Sequence, residues 1–327
     1  MTDDSTSKLT RSAQYREYSR AVNPLGQGTI PPVQTGEFSR QLHEKGATRV
    51  VALDLSDKLE CPYPATGPSL LANFIRINPG DSIDTKANAT SELYYVIRGS
   101  GTSKIGSDCI EWGQGDFFVV PGGRASVHQA ESDSAFYWVH DEPLLRYLGA
   151  TVSEAKFEPT LYKAEVCRRE LEKVAKDPAS SQRNRISVLL GNTAFPQTMT
   201  VTHTLWAMFG MLPEHSVQLP HRHNSIALDL ILDCEPGCYS LMSQQIDENG
   251  ALINPTRADW KPFSSFVTPP FMWHSHHNES GKPAHLIPIQ DAGLHNNLRT
   301  LDIEFSHKRS SQSASPQHAM AASNDLL

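Results

Sequence analysis

The stretch "PHRHNSIALDL", residues 220–230, contains two histidines separated by a single residue, just before an apolar run. In a β-strand successive side chains point to opposite faces, so His221 and His223 emerge on one side and Arg222 on the other. The apolar run that follows is typical of a buried strand. The stretch therefore predicts two imidazoles directed toward one interior of a β domain.

A second histidine-rich stretch, "PPFMWHSHHN" at residues 269–278, supplies His274 on a different strand. A lone histidine is more often a core or surface residue than a ligand. Here His274 would complete a three-nitrogen set with His221 and His223, which leaves positions open on an octahedral ion. The pattern makes these three residues candidate metal ligands.

The two histidines that follow differ in direction. By alternation His276 shares the face of His274, and we predict it as a catalytic pocket residue, either a proton donor or a substrate contact. His277 points to the other face and is interpreted as structural.

Short β-rich runs separated by glycine and proline turns extend along both halves of the chain. They are RVVALDL, SLLANFIRI, ELYYVIRG, GTSKIG, DFFVVPGG and AFYWVHD in the first half, and TMTVTHTLWAMFGML, IALDLILD, CYSLMSQQID, SSFVTPP and AHLIPIQ in the second. Short strands at this spacing predict an all-β sandwich or barrel fold. Two similar segments, 79–101 and 213–237, indicate a repeated β unit.

One helical pattern interrupts the strands, "YKAEVCRRELEKVAKDP" at 162–178. Its predicted apolar stripe consists of Ala164, Val166, Leu171 and Val174, and Asp177-Pro178 should end the helix. With 327 residues the chain is long enough for two domains. The predicted division is an N-terminal arm at 1–45, a first β domain at 46–150, a helical linker at 151–185, a second β domain at 186–308 and a disordered tail at 309–327.

Composition limits the classes of function. The net charge is −7 and the sequence has no dense Lys/Arg run, so neither nucleic acid nor an anionic membrane is an expected partner. The sequence has no apolar window long enough to suggest a membrane span. Its first thirty residues have no apolar region that would suggest a secretory signal, so we expect a soluble cytoplasmic protein. The five cysteines are scattered, and the C-x3-C of Cys234 and Cys238 is weak evidence for metal or redox work.

The H-x-H followed by a P-x4-H-x3-N motif, met here by Pro269, His274 and Asn278, is the cupin pattern. Over residues 48–306 the chain resembles a bicupin, which implies two cupin jelly-roll (double-stranded β-helix) barrels joined by the helical linker. More narrowly, "HRHNSIAL", "PPFMWHSHHN" and "LIPIQDAGLHNNLRTLDIEF" within 200–306 are similar to the gentisate, salicylate and 1-hydroxy-2-naphthoate 1,2-dioxygenases. That resemblance implies Fe(II), which binds an ortho-hydroxy carboxylate and O2 together in a ring-cleaving reaction.

A glutamate that many cupins use as a fourth ligand is absent. Counting from the second histidine leads to Ala227 or Leu228, and neither side chain can bind a metal. A three-histidine site leaves the charge of the ion uncompensated and should favour an anionic bidentate substrate beside dioxygen.

The sequence departs from the dioxygenases at residue 229. Where that group commonly reads A-L-R, with an arginine held to contact the substrate carboxylate, this chain reads Ala227-Leu228-Asp229. Strand parity places Asp229 in the interior, where a buried carboxylate needs a partner. Two interpretations stay open: recognition of an amine or hydroxyl of the substrate, or an internal partner such as Arg299 or a backbone amide.

Two further residues are predicted to contact the substrate. Trp206 resembles an aromatic that flanks the substrate ring in this group, although a core tryptophan explains it as well. Asp291 resembles an acid that orients a histidine, with a turn residue as the alternative.

The same count in the first half gives a different result. Lys86 and Asn88 fall in the histidine positions, Glu92 in the acid position and Ser126 in the third histidine position, so we expect no metal there. An internal Lys86–Glu92 ion pair would fill the interior, and a second pocket at His128 and Tyr94 is the less favoured alternative. In the gentisate group the metal is commonly in the N-terminal cupin. Here the barrel expected to bind the metal is the C-terminal one, which is the opposite arrangement.

The sequence thus favours a non-haem Fe(II) oxygenase with a small-molecule substrate and O2 as partners. One alternative is an O2-independent lyase, isomerase or decarboxylase with Mn, Ni or Zn, and another is a non-catalytic binding bicupin. Edge strands and the long N-terminal arm suit a homo-oligomer.

Overall fold

The structure is a computed structural model that describes residues 10–183 and 185–306. The predicted disordered tail at 309–327 lies outside the described residues. Strands dominate and helices are few and short, which confirms the all-β prediction.

The elements of the first half alternate short helices with strands near the N-terminus and then become almost entirely β. In chain order they are α1 Tyr18–Ala21, β1 Glu37–Phe38, α2 Gln41–Glu44, β2 Arg49–Ala52, α3 Ser56–Leu59, β3 Leu71–Ile77, β4 Ser82–Thr85, β5 Ser91–Arg98, β6 Ser100–Ile105, β7 Asp108–Gly113, β8 Phe117–Pro121, β9 Ser126–Ala130, β10 Ser134–His140 and α4 Glu142–Leu148.

A short strand and the longest helix lead from the first half to the second. The elements from this connection onward are β11 Thr160–Tyr162, α5 Ala164–Lys176, a 3-10 turn at Pro178–Gln182, β12 Ile186–Leu190, β13 Trp206–Leu212, β14 Ser216–His223, β15 Ala227–Asp233, β16 Cys238–Ser243, β17 Thr256–Asp259, β18 Ser265–Thr268, β19 Trp273–Asn278, β20 Ala284–Gln290, α6 Ala292–Leu298 and β21 Ile303–Phe305.

These strands form four antiparallel sheets. The first half contains a six-stranded sheet in the order β11-β8-β5-β10-β3-β2 and a four-stranded sheet β4-β9-β6-β7. The second half contains a six-stranded sheet β1-β18-β15-β20-β13-β12 and a five-stranded sheet β17-β16-β19-β14-β21. Strand β1 comes from the predicted N-terminal arm and pairs with β18, so the arm adds a strand to the sheet of the second half.

The two six-stranded sheets bury one face against each other. Leu93 and Tyr95 of β5 share a core with Leu228 and Leu230 of β15. Because strand side chains alternate, the residues between them point away from this core, toward the smaller sheet of each half. Each half thus has a second interior of its own.

The interior of the first half is filled with aromatic rings. Tyr94 stacks on Phe118 at a centroid distance of 4.7 Å and on Trp138 at 5.7 Å, and Phe136 meets Trp112 edge-on at 4.7 Å. Such packing buries a large apolar area without leaving a wide polar space.

The predicted Lys86–Glu92 ion pair is wrong. Lys86 is exposed, and the residue that pairs with Ser126 is its neighbour Thr85, because the count is offset by one residue in this turn. The buried Glu92 instead accepts hydrogen bonds from the Tyr94 hydroxyl at 2.8 Å and the Trp138 indole at 2.9 Å.

The internal repeat is visible in a Trp–Ser–His chain of contacts that occurs once in each half. Its members are Trp112, Ser103 and His128 in the first half, and Trp260, Ser240 and His276 in the second. In both, the indole N–H donates to the serine oxygen, which lies 2.7 Å from Nδ1 of the histidine. The two interiors therefore share one plan and differ in what fills them.

The predicted helix is present as α5, and it ends before Pro178 as expected. Its buried residues are Ala164, Cys167 and Leu171. Val166 is 39% exposed, so its inclusion in the apolar stripe was wrong. The spacing of 164, 167 and 171 follows the helical period more closely than the predicted set does. None of the helices in the described ranges has the length and apolar character to cross a membrane.

The aromatic interior of the first half should be a main source of stability. Truncating Phe136, which is fully buried, to alanine should lower the free energy of unfolding by about 3–5 kcal/mol, because it removes apolar contacts and leaves a cavity. Urea denaturation measures this change. The matched control is Leu148→Ala at a site 61% exposed, and an equal loss there would contradict the packing argument.

Candidate metal centre

Four buried histidines face the space between the five-stranded and six-stranded sheets of the second half. His221 and His223 lie on β14, and His274 and His276 lie on the neighbouring strand β19. None of the four is more than 5% exposed. We call these four residues the histidine cluster.

His274 stands at the centre of the cluster. Its ring centroid lies 4.1 Å from that of His221, 4.9 Å from that of His223 and 5.5 Å from that of His276. One ligand nitrogen from each of His221, His274 and His276 falls within 4.8 Å of the others. The structure thus brings together all four histidines that the sequence placed in the site.

Three of the four imidazoles are held in the same way by main-chain carbonyls two residues away. Nδ1 of His221 lies 3.0 Å from the oxygen of Leu219, Nδ1 of His223 2.8 Å from that of Ser225, and Nδ1 of His274 2.8 Å from that of Met272. A carbonyl only accepts, so each Nδ1 carries the proton and each Nε2 keeps a lone pair. This is the arrangement that orients metal-binding histidines.

His276 is held differently. Its Nδ1 faces the Ser240 hydroxyl, and its Nε2 lies 3.4 Å from Nη2 of Arg185. Because a guanidinium only donates, Nε2 of His276 is the acceptor in this contact. The adjacent positive charge disfavours a metal cation at this nitrogen.

A β-bulge shapes the strand that carries the first two histidines. Gln218 pairs with His276 and His221 pairs with His274, so three residues of β14 span the distance of two on β19. Pro220, which has no N–H to give to a ladder, lies in the bulge. The bulge resets the alternation, and both Gln218 and His221 face the interior as a result.

Arg185 is the main residue of the site that sequence reasoning missed. It donates from Nε to Oε1 of Gln218 at 3.3 Å, and its Nη1 lies 3.7 Å from the sulfur of Met208. It forms no salt bridge with a carboxylate of the described residues. No local signal marks it, because it lies just before β12 in the segment interpreted as a linker.

Asp229 lies in the interior as strand parity predicts, and it is 2% exposed. Thr268 donates to its Oδ2 at 2.9 Å, whereas Oδ1 has no hydrogen-bond partner within residues 10–183 and 185–306. Burial raises the pKa of Asp229 to about 6, and the charge of Arg185 opposes that rise. The suggested partner Arg299 is wrong, since it is exposed and donates to a main-chain carbonyl beside it.

Trp206 begins β13 opposite Gln290. Its neighbour Ala207 belongs to the core between the six-stranded sheets, so Trp206 points to the other side, the side of Met208 and Arg185. Its indole N–H is buried and has no partner in the part of the chain that the structure describes.

The Asp291 carboxylate accepts from the Ser69 hydroxyl at 2.6 Å and from the Ile226 N–H at 2.9 Å. Ile226 follows Ser225, whose carbonyl holds His223. Asp291 therefore anchors the turn behind a cluster histidine and ties it to the first half of the chain. Its predicted contact with substrate stays a prediction.

The histidine cluster is neutral at ordinary pH. Burial lowers the pKa of His223 to about 4 and lowers the pKa values of His221, His274 and His276 well below their usual range, and repulsion from neighbouring positive groups adds to the effect. Neutral imidazoles are the form that binds metal. Nitrogen donors without a carboxylate suit Fe, Zn, Cu and Ni ions.

A cavity of about 550 Å³ lies next to the site at the edge formed by β12 and β14. Arg185 and Gln218 line it and also contact the cluster, and the exposed Arg183 lines it as well. This gives a small molecule a path from the surface to the two polar residues beside the histidines.

Comparisons with known proteins agree with the resemblance seen in the sequence. The chain is 33% identical over 95 residues to the 5-aminosalicylate 1,2-dioxygenase of a Comamonas species, which covers 29% of this chain and 25% of that protein. It is 25% identical over 148 residues to gentisate 1,2 dioxygenase 1 of Aquipseudomonas alcaligenes, covering 44% of this chain and 39% of that one. The matched part is thus less than half the length of each relative. No protein-family model matches the chain.

The fold resembles solved structures over most of its length. The salicylate 1,2-dioxygenase of Pseudoaminobacter salicylatoxidans, in its gentisate adducts, superposes with a TM-score of 0.69 at 12% identity, covering 89% of this chain and 90% of that one. An oxalate decarboxylase variant of Bacillus subtilis superposes with a TM-score of 0.51 at 13% identity over 85% and 84% of the two chains. The chain therefore has the cupin-like fold of these enzymes.

In the metal-free protein, replacing His276 by glutamine should flatten the pH dependence of stability. Because its pKa is held well below 6.5, the folded state leaves His276 neutral while the unfolded chain protonates it as the pH falls below 6.5. Unfolding then takes up a proton, so the wild-type residue lowers the free energy of unfolding by up to about 1.4 kcal/mol per pH unit below that point.

Urea denaturation at about pH 7, 6 and 5 measures the slope in wild type and variant. The exposed His215 offers the matched control, because His215→Gln should leave the slope unchanged. An identical slope for His276→Gln and wild type would show that the histidine is not held neutral by burial.

Proposed function

We propose that this chain is a non-haem Fe(II)-dependent oxygenase of the gentisate 1,2-dioxygenase type, acting on a small chelating substrate with O2. The observation that carries the proposal is the set of three buried imidazoles on β14 and β19, each with Nδ1 fixed by a carbonyl and its lone pair left on Nε2. The sequence similarity to dioxygenases of aminosalicylate and gentisate supports it.

Each pair of sheets is, in this proposal, one cupin barrel, and α5 with its flanking segments at 151–185 is the linker of a bicupin. The barrel at 46–150 has lost its metal site and is filled by aromatic side chains. The barrel at 186–308 holds the metal. The likeness over about nine-tenths of a salicylate dioxygenase chain supports this division.

The metal ligands are Nε2 of His221, His223 and His274. His276 lies close enough to compete with His223, since it forms the tighter group with the other two. Two features favour His223: its Nδ1 is fixed by a carbonyl, and no guanidinium stands at its Nε2. When bound, Fe(II) supplies open positions for a bidentate anion and dioxygen; Mn, Ni and Zn also suit the donors.

Arg185 is the group that receives the carboxylate of the substrate. It is a cation beside the metal ligands with no salt bridge to the described residues, and Gln218 holds its Nε end toward the interior. A guanidinium can bind a planar carboxylate through two parallel hydrogen bonds. Binding there would bring the carboxylate next to the cluster.

Asp229 receives an amine or hydroxyl donor of the same substrate through its unpartnered Oδ1. A carboxylate at this depth repels a second anion and favours a donor or a cation. The unpartnered indole N–H of Trp206, on β13 of the same sheet, adds one donor for a substrate oxygen, so its ring flanks the bound molecule. The substrate of this proposal is an aromatic acid that also carries an amino or hydroxyl group.

His276 acts as the catalytic pocket residue. Its Nε2 is an acceptor directed at Arg185, and its Nδ1–H is fixed on Ser240, which Trp260 holds in turn. A substrate hydroxyl that displaces the Arg185 contact would find this nitrogen placed to accept its hydrogen bond, so that His276 contacts the substrate. Asp291 acts on the same site indirectly, because it fixes the turn at Ile226 behind His223.

An O2-independent metal enzyme is the second candidate. The fold is also shared with an oxalate decarboxylase, so fold alone does not separate the two chemistries. A binding bicupin without catalysis would keep the metal and show no turnover. The strand β1, which the N-terminal arm adds at the edge of a sheet, suits the proposed homo-oligomer.

Metal content tests the ligand set. His223→Ala should lose most of the bound iron, because it removes one of three ligands. His276→Ala should retain about one iron per chain by elemental analysis and lose activity instead. His277→Ala, at a ring that stacks on Tyr239 outside the cluster, is the control and should change neither. Iron lost from His276→Ala and kept in His223→Ala would replace His223 by His276 in the ligand set.

Oxygen consumption tests the reaction and the role of Asp229. The iron-loaded protein should consume O2 with aromatic acids that bear an amino group, 5-aminosalicylate among them. Asp229→Asn should raise KM for the amino compound by about tenfold or more, because a charge-assisted hydrogen bond is lost, and should leave KM for salicylate, whose one hydroxyl would chelate the metal, within about twofold.

The control is Asp233→Asn, at an exposed carboxylate at the end of the same strand. Absence of O2 uptake across the whole panel, with product formed under anaerobic conditions, would favour the second candidate. Absence of any turnover would favour the binding protein.

A further inference from the structure

A second cavity, distinct from the metal centre, lies between helix α5 and the two six-stranded sheets. It has a volume of about 360 Å³, and residues from both halves line it. We call it the inter-sheet cavity. A volume of this size matches the lower range of small-molecule sites in proteins.

The floor of the inter-sheet cavity is apolar. Phe209 and Met211 of β13 and Leu232 of β15 supply it, and Leu171 of α5 closes one side. Phe209, Leu232 and Leu171 belong to the core between the six-stranded sheets. An apolar group placed here would extend the hydrophobic core of the protein.

Arg168 supplies an uncompensated positive charge at the wall. One of its guanidinium nitrogens lies over Gly115, 3.3 Å from where a Cβ would stand, so a side chain at 115 would crowd it. Among the described residues Arg168 has neither a salt bridge nor a hydrogen bond. Its neighbour Arg169, by contrast, pairs with Glu170.

The acids around the inter-sheet cavity are already paired. Asp233 accepts from His285 at 2.8 Å, and Glu172 pairs with Lys176 at 3.2 Å. Arg168 is therefore the one charged side chain of the lining that has no side-chain partner among the described residues. An anion that enters the cavity would find its partner at this guanidinium.

The phenol of Tyr95 adds one free polar atom. Its side chain is 5% exposed, and its hydroxyl has no hydrogen-bond partner in residues 10–183 and 185–306. Tyr95 lines the same cavity as Arg168 and Cys167. A ligand oxygen that reached this hydroxyl would give it a hydrogen bond that no described residue supplies.

We propose that the inter-sheet cavity binds a small amphipathic monocarboxylate, with its apolar body against Phe209, Met211 and Leu232 and its carboxylate between Arg168 and the Tyr95 hydroxyl. The proposal is independent of the metal chemistry. The ligand would lie against the back of β13 and β15, whose opposite faces carry Met208 and Asp229 of the metal centre.

Isothermal titration calorimetry of the full iron-loaded chain with octanoate tests the proposal. We expect saturable binding of one octanoate per chain. Arg168→Gln should weaken it by about tenfold or more, because the charged partner of the carboxylate is lost. Arg169→Gln, one residue along the same helix, is the matched control and should leave the affinity unchanged.

Two further variants keep the result unambiguous. Ala175→Phe, at a partly buried wall position of α5, should fill the cavity and abolish binding while circular dichroism shows a folded protein. His274→Ala should bind octanoate as the wild type does, since the metal site is separate. Octanamide should bind at least about tenfold more weakly than octanoate.

Any of three outcomes would overturn the proposal. The first is no saturable binding of octanoate to the wild type. The second is an affinity for octanoate in Arg168→Gln and Ala175→Phe that equals the affinity of the wild type. The third is loss of binding in His274→Ala, which would place octanoate in the metal centre instead.

Discussion

Alternation of side chains along the central strands is the constraint on which the rest of the structure depends. Every second residue of β5 and β15 is committed to the core between the six-stranded sheets, and its neighbours must face the smaller sheets. This sends Tyr94 into one interior and Asp229 into the other. The same rule decides that His221, His223, His274 and the groups opposite them meet in one space.

The two interiors show how one plan gives a filled core or a site. Both keep the Trp–Ser–His contacts, at His128 and at His276. In the first half Tyr94 and its aromatic neighbours occupy the centre, and the buried Glu92, whose pKa burial raises to about 7, is held by hydroxyl and indole donors. In the second half imidazoles with lone pairs on their Nε2 atoms take that place.

Charge balance in the second interior is set by groups that are distant in sequence. The buried Asp229 and Arg185 influence each other without a direct salt bridge, and Gln218 connects the guanidinium to the imidazoles. A substrate with both an acid and a donor group would satisfy both residues at once, which an anion alone would not. A metal ion adds positive charge and makes the carboxylate more favourable there.

The sequence alone determined the all-β class, the helix at 164–176 and the burial of the histidines and Asp229, because the period of two and the metal-site spacing are local properties. It could not supply Arg185, which comes from a segment before β12 and enters the site only through packing. It also missed Gln218, whose direction depends on the bulge at Pro220, and misplaced Lys86 by one residue. Register shifts and long-range approach are decided by tertiary contacts, and strand parity inverts with every residue gained or lost.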